Sequence, residues 1–167
     1  VSEVGPEAFV RDIRHPLVGS LALYCGDAGV AEELAQEALA KAWQRWDRLD
    51  DPKAWTYRTA FNLASTWGRR RSAERRANRR ASAGRTPAEV DRADVHAVRA
   101  AVAALPDRQR AVIVCRFFLT LDVRETASVL RCAEGTVKAA THQALAALRR
   151  SGLIDDPAPQ PEEVETT

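Results

Sequence analysis

An all-α fold of two small helical domains joined by a flexible basic linker is what this sequence predicts. Three observations carry the prediction. Apolar residues recur by threes and fours along most of the chain, and no stretch shows clear strand alternation. Alanine is abundant, while Gly and Pro number only 8 each, a balance that favours helices. The periodicity then lapses over an Arg/Ala/Ser/Gly-rich run, residues 73–93, which separates a domain at 6–72 from one at 94–152. Residues 153–167 are polar, acidic and Pro-containing, and read as a disordered tail.

The first helix spans Pro6 to Tyr24, with Phe9, Ile13, Leu17, Leu21 and Tyr24 on one face and Pro16 as an expected kink or interruption. After "GDAG", a second helix, "VAEELAQEALAKAWQRW", sets Leu34, Leu39, Ala42, Trp43 and Trp46 on an apolar side. Glu32 and Glu33 suit the positive end of its dipole. Asp51 followed by Pro52 is a start signal, a capping carboxylate before a proline at the first helical position. The third helix, "PKAWTYRTAFNLASTWGRRR", mixes Trp55, Phe61, Leu63 and Trp67 with Arg58, Thr59, Asn62 and Thr66. In the second domain, Val95, Val98, Val102 and Leu105 have helical spacing. Pro106 opens a helix whose apolar face includes Val112, Val114, Phe117 and Phe118. Asp122 and Glu125 form a capping box that starts a short helix at Val123. The turn "RCAEG" leads into a last helix with Val137, Leu145 and Leu148 facing inward.

Composition excludes several classes. No apolar run in the 167 residues approaches the roughly 18 needed to cross a membrane. "VSEVGPEAFVRD" is neither a signal nor a transit peptide, so a cytoplasmic location is expected. Cys25, Cys115 and Cys132 have no metal or redox spacing and read as small buried apolar residues. His15, His96 and His142 are equally dispersed, so no catalytic residues, metal, cofactor or small-molecule substrate are expected. The net charge is only +2, yet nine arginines lie between Arg69 and Arg92 against Glu74, Glu89 and Asp91. A basic block of that density fits nucleic acid, and equally a solvated linker.

Glu125 to Arg150 has the outline of a helix-turn-helix, whose second helix enters the DNA major groove. On the third helix, aromatic faces can stack on exposed bases, amides and hydroxyls can bond base edges, and arginines can neutralise phosphate. Most tryptophans of a small helical domain are nonetheless core.

Two runs carry a family resemblance: "GDAGVAEELAQEALAKAWQRWDRLDDPKAWTYRTAFNLASTWGRRR" and "LPDRQRAVIVCRFFLTLDVRETASVLRCAEGTVKAATHQALAALR". In that order, with an Arg-rich tether and no third domain between, they resemble a bacterial RNA polymerase sigma factor of the extracytoplasmic-function (ECF) group. The resemblance implies a non-enzymatic transcription initiation factor that directs core polymerase to promoters and assists melting. Its implied partners are the clamp helices and flap of the large polymerase subunits, promoter DNA and an anti-sigma protein, with no membrane insertion.

Residue by residue, the resemblance implies core-polymerase contacts at Glu33, Gln36 and Glu37. It implies minus-ten contacts at Asp47, Arg48, Asp50 and Lys53, in a loop that captures a flipped base, and at Arg58, Asn62, Thr66, Trp67, Arg69 and Arg70 on the third helix, with Trp55 a core residue and Trp67 open between core and base stacking. The tether resembles a segment that runs through the polymerase cleft and needs no fixed structure. For the minus-thirty-five element the implied contacts are Glu134, Thr136, Lys138, Thr141, His142 and Gln143. Here the chain departs from the family, in which basic or hydroxyl residues face the groove. Ala139, Ala140, Gln143 and Ala147 stand at those positions, and Arg131 stands where glycine is common. A stand-alone helix-turn-helix regulator is the alternative, and "AEELAQEAL" through "STWGRRR" is the stretch it would not need.

Overall fold

Each helix boundary in the computed structural model follows from local chemistry. The structure describes residues 5–81 and 93–154, the side chains of 79–81 and 93–95 excepted. The acidic tail from 155 onward and the tether from 82 to 92 lie outside the described residues.

Helix α1, Pro6–Cys25, begins at a proline that has no N–H to leave orphaned. It ends at Gly26, which takes φ 71° and donates its N–H to the Ala22 carbonyl. Contrary to expectation, Pro16 does not interrupt it. The carbonyl that Pro16 cannot serve belongs to Asp12, an exposed residue, so solvent can satisfy it. Helix α2, Ala28–Gln44, is capped by Asp27, whose carboxylate accepts from Val30 N–H at 3.0 Å. Its buried stripe is Ala31, Ala35, Ala38, Leu39 and Ala42, and its four alanines let α1 and α3 approach closely. Trp43, expected on the apolar side, is instead 45% exposed. A stripe of alanines already fills that contact, and Trp43, one residue past Ala42, falls to the side of it.

A 3-10 turn, Trp46–Arg48, leads to helix α3, Pro52–Ala81. The Asp51 carboxylate accepts from Ala54 N–H at 2.9 Å, as the Asp-Pro pair predicts. Thr56, Tyr57, Ala60, Phe61 and Ala64 are buried. The helix then continues through residues 73–81, where a tether without fixed structure was expected. Ala, Arg and Glu are strong helix formers, so this segment needs no apolar stripe to continue the helix.

Helices α4, Ala93–Ala104, and α5, Asp107–Ile113, follow, and α5 passes into a π-helical turn, Val114–Phe118. There Leu119 N–H reaches back five residues to the Val114 carbonyl. The extra residue rotates the register, so Phe117 and Phe118 are 54% and 46% exposed rather than lying on the apolar face expected of them. Val98 on α4 is likewise exposed. The capping box of α6, Val123–Leu130, is present in full: Glu125 N–H donates to Asp122 Oδ1 at 2.7 Å and Asp122 N–H to Glu125 Oε2 at 2.8 Å. Arg131 ends α6 at φ 51°, left-handed, at a position where glycine would be unstrained. Helix α7, Glu134–Arg150, buries Val137, Ala140, Ala144 and Leu148.

The described residues contain helices and no strand. They form two helical units, α1–α3 and α4–α7. One apolar cluster runs through both, from Leu17, Leu21 and Phe61 to Val102, Val114 and Val129. Two smaller clusters belong to the second unit, one around Leu105 and Leu148 and one around Val112 and Val137. Arg110 ties the units together. Its guanidinium donates to the Tyr24 carbonyl at 2.9 Å and lies 5.6 Å from the Tyr24 ring centroid. The Phe118 ring seats on Gly19 of α1, where a Cβ would lie 2.8 Å from it.

Candidate nucleic-acid interface

The alanine stripe that buries one face of α2 leaves Glu33, Gln36 and Glu37 on the other, all exposed. Glu37 pairs with Lys41 at 2.5 Å, and Glu32 pairs with Arg14 of α1. Trp43 continues this exposed face at helical spacing, Gln36–Ala40–Trp43. The sequence places it on the apolar side instead. The signal was the spacing of Ala31, Ala35, Ala38 and Ala42, which defines the inner face and puts Trp43 outside it.

Residues after α2 surround an open cavity of about 580 Å³, lined by Arg45, Arg48, Asp50, Asp51, Trp55 and Arg58, with Ser128 from α6 at its rim. That volume is in the range of small-ligand and nucleotide sites. Of the four loop residues expected here, the cavity brings together Arg48 and Asp50. Asp47 is exposed on the turn but does not line it, and Lys53 lines a neighbouring hollow beside Asp122, Arg124 and Glu125. Trp55, expected in the core, lines the cavity wall with the Arg45 guanidinium 5.9 Å from its ring centroid. The core on this side is filled by Tyr57, Ala60 and Phe61 instead.

On α3, Arg58, Asn62, Thr66 and Arg69 follow at steps of four, four and three, and so share one face. The Thr66 hydroxyl donates to the Asn62 carbonyl at 3.0 Å, and the Arg69 guanidinium donates to Ser65 Oγ and Thr66 Oγ1 at 2.7 and 3.0 Å. A groove of about 550 Å³ between α2 and α3 joins Asn62, Thr66, Trp67 and Arg70 to Glu37 and Lys41. The two sets of contacts expected from the sequence therefore meet along one groove, Glu37 from the first set and Asn62, Thr66, Trp67 and Arg70 from the second. Trp67 belongs to no core cluster. It lines the groove, with the Arg71 guanidinium 5.2 Å from its centroid.

The last helix presents Glu134, Lys138, Ala139, His142 and Gln143 to solvent. Thr136 and Thr141 are half-buried, and the Thr141 hydroxyl is spent on the Val137 carbonyl at 2.8 Å. Ala140, expected to face the groove, is buried against Val112 and Val137, and Ala147 is half-buried. The Gln143 amide oxygen accepts from Gln109 at 3.3 Å, which fixes its outward direction. The exposed surface of α7 is thus narrower than the sequence implied, with Lys138, Ala139, His142 and Gln143 at its centre.

Burial pushes the Cys25 thiol up to about 11 and that of Cys115 higher still, so both stay protonated near neutral pH. The three cysteines are free thiols. Among the described residues no group of three His, Cys, Asp or Glu side chains is placed to hold a metal, and no helix is long and apolar enough to cross a membrane.

Comparison with known proteins gives the geometry a family. Residues 9–74 match the family model of Sigma-70 region 2, and residues 96–148 that of Sigma-70, region 4. The RNA polymerase sigma-E factor of Streptomyces coelicolor is 32% identical over 157 residues, 90% of this chain and 87% of that protein. The ECF RNA polymerase sigma factor SigL of Mycobacterium tuberculosis is 36% identical over 136 residues, 74% of this chain and 75% of that one. The fold is similar to that of the sigma factor RpoE from Bartonella quintana, solved in complex with the anti-sigma factor NepR. The TM-score is 0.75 and the identity 22%, over 90% of this chain and 98% of that one. It is also similar to CnrH, solved with the cytosolic domain of CnrY, with a TM-score of 0.65 and 20% identity over 90% and 89% of the two chains. The chain belongs to the sigma-70 family of RNA polymerase sigma factors, in its extracytoplasmic-function group.

Proposed function

We propose that this chain is the promoter-specificity subunit of a bacterial RNA polymerase: it binds the core enzyme through α2, holds the minus-ten element along α3 and reads the minus-thirty-five element with α7. The observation that carries this reading is the groove that joins Glu37 and Lys41 to Asn62, Thr66, Trp67 and Arg70. A protein that must grip polymerase and hold an opening DNA strand beside it needs those two surfaces to adjoin. A stand-alone regulator needs only the helix-turn-helix.

Glu33, Gln36, Glu37 and Trp43 form the polymerase face, acidic and amide groups around one exposed indole. Exposed carboxylates steer a basic partner, and a large aromatic supplies the buried area once the surfaces close. Arg48, Asp50 and Trp55 line the cavity for a base displaced from the stack, with hydrogen-bond donors, acceptors and a ring face. Lys138, His142 and Gln143 supply donors and acceptors for the major groove, and the Ala139 methyl suits a thymine methyl. Residues 9–74 and 96–148 act as the two domains, and the end of α3 extends from the first toward the second.

An anti-sigma partner is part of this reading, supported by the two fold neighbours, each solved with a partner protein bound. The protein itself performs no chemistry in this account; the polymerase does. Reconstitution tests the reading: core polymerase plus the purified chain starts transcription at defined sites, and core alone does not. Failure of the chain to bind core or to redirect it refutes the proposal.

A further inference from the structure

Two segments of this chain carry dense charge of opposite sign. Residues 69–78 of α3 are all exposed, and hold Arg69, Arg70, Arg71, Arg75 and Arg76 against the single carboxylate of Glu74. Residues 155–167, outside the described residues, hold Asp155, Asp156, Glu162, Glu163 and Glu165 and no base. Three of the arginines have a place within the fold: Arg69 bonds Ser65 and Thr66, Arg71 covers Trp67, and Arg70 lines the groove beside Glu37. Arg75 and Arg76 make no hydrogen bond or ion pair among the described residues.

The fold brings the root of the tail toward α3. Gly152 takes φ 74° and Leu153 N–H donates to the Leu148 carbonyl at 3.2 Å, so the chain turns back at the end of α7. Leu153 and Ile154 then pack on the cluster of Leu105, Ile113, Ala144 and Leu148. Two residues after Leu105, Asp107 and Arg108 share a cleft of about 220 Å³ with Asn62 and Ser65 of α3. Pro157, Pro159 and Pro161 disfavour helix and favour extended chain. At about 3.1 Å per residue, Glu162 can lie about 25 Å and Glu165 about 34 Å from Ile154. From Ser65 to Arg76 along α3 is about 17 Å, well within that reach.

We propose that the acidic tail docks on the arginine end of α3 in the same chain, with Glu162, Glu163 and Glu165 against Arg75 and Arg76, and masks that end in the free protein. Charge selects the site. Between Arg69 and Asn78 no apolar side chain is larger than alanine, so an apolar partner has nothing to bury there. Along its exposed face α7 offers only Lys138 and His142 against Glu134, with Arg150 at its end. Exposed ion pairs are individually weak, but a short tether holds the two partners at an effective concentration of about millimolar. The mask therefore forms within one chain and yields readily to a competing surface. This contact is separate from promoter recognition, and the free chain suffices to measure it.

The test is amide hydrogen exchange on the full chain, followed in peptides covering 69–78 and 134–150. Wild type is compared with a chain carrying Asp155→Asn, Asp156→Asn, Glu162→Gln, Glu163→Gln and Glu165→Gln. The expected result is exchange over 69–78 faster by about threefold or more in the amide variant, with 134–150 unchanged. The difference should be present at about 0.05 M salt and absent at about 0.5 M, where screening leaves only a few ångströms of range. In a chain with Arg75→Gln and Arg76→Gln, the same tail changes should have no effect. In a chain with Arg75→Glu and Arg76→Glu, adding Glu162→Lys, Glu163→Lys and Glu165→Lys should restore the protection.

Equal exchange over 69–78 with either tail would overturn the proposal. So would protection by the tail over 134–150 instead, which would put it on the last helix. Protection that weakens on dilution would make the contact one between two copies and would equally overturn it. Because neither polymerase nor promoter enters the measurement, each of these failures leaves the promoter-binding reading untouched.

Discussion

Arg58 of α3 and Ser128 of α6, 70 positions apart in sequence, are joined by two hydrogen bonds: Arg58 Nε donates to the Ser128 carbonyl at 3.1 Å and Nη2 to its Oγ at 2.7 Å. Arg58 heads the stripe that holds the minus-ten element in our reading, and Ser128 sits on the first helix of the helix-turn-helix. The bond therefore closes the two units on each other and occupies the head of the DNA-facing stripe. A compact chain of 167 residues has a radius of gyration of ~15 Å. Two promoter elements some 25 base pairs apart are separated by roughly 85 Å of duplex at 3.4 Å per pair. The form that reads both elements has to be an opened one.

Ser128→Ala removes the shorter of these bonds at an exposed site, worth about 1 kcal/mol, and so shifts the closed–open balance by about fivefold. Energy transfer between dyes placed on α1 and α7 should register a larger open fraction, with helix content unchanged. An unaltered distance distribution would show that the shared core around Val102 and Val114, rather than Arg58, sets the closure.

Two residues hold left-handed backbone without being glycine, Thr120 at φ 54° and Arg131 at φ 51°. The left-handed region costs an L-residue about 1–2 kcal/mol, partly offset because glycine loses more freedom on folding. Each of Thr120→Gly and Arg131→Gly should stabilise the chain by up to about 1 kcal/mol, a rise in Tm of about 2–4 °C. Thermal melting checks this, and a fall in Tm for either would contradict the strain assigned there.

Much of this was legible in the sequence because it is local. The Asp122–Glu125 capping box and the Asp51–Pro52 start are decided by residues within one turn, and both are present in the structure. The end of α3 is not legible in that way: residues 73–81 have helix propensity but no apolar period to mark a helix. Trp43, Trp55 and Phe118 depart from their sequence expectation for a different reason. Which face of a helix is buried depends on what packs against it, and the alanine stripe of α2 and the π-turn after α5 decide that only in three dimensions. At the candidate site, Glu33, Gln36, Glu37, Asn62, Lys138 and His142 are exposed as expected, whereas Thr141 and Ala140 turn inward by packing that helical spacing alone does not resolve.

Trp43→Ala should weaken core-polymerase binding by about 2 kcal/mol, roughly 30-fold, as truncation of a central aromatic anchor does. Glu33→Lys with Glu37→Lys should act mainly on the association rate and on its salt dependence, as exposed charges do. Surface-based kinetics with core polymerase separate the two effects. A Trp43→Ala variant with wild-type affinity would remove the indole from the interface.

Stability should fall as pH rises through the alkaline range. Burial raises Cys25 from 9.0 to about 11 and Tyr57 from 10.0 to about 12, so the unfolded chain releases these protons first. The stabilisation is complete below about pH 9 and is lost progressively between pH 9 and 12. Urea midpoints at pH 7, 9 and 10 check the sign, and a midpoint that climbs with pH would contradict it. In the native state the Cys115 thiol should resist thiol reagents until the chain unfolds, since it is fully buried.

Strand opening by the reconstituted holoenzyme reports directly on whether α3 holds the minus-ten strand. Permanganate reactivity of unpaired thymines at a mapped promoter should appear with wild-type chain and core polymerase. It should fall by at least tenfold with Asn62→Ala and Trp67→Ala together, while core binding is retained. Full reactivity with that double variant, at the same start site, would contradict the assignment of the α3 groove to the minus-ten strand.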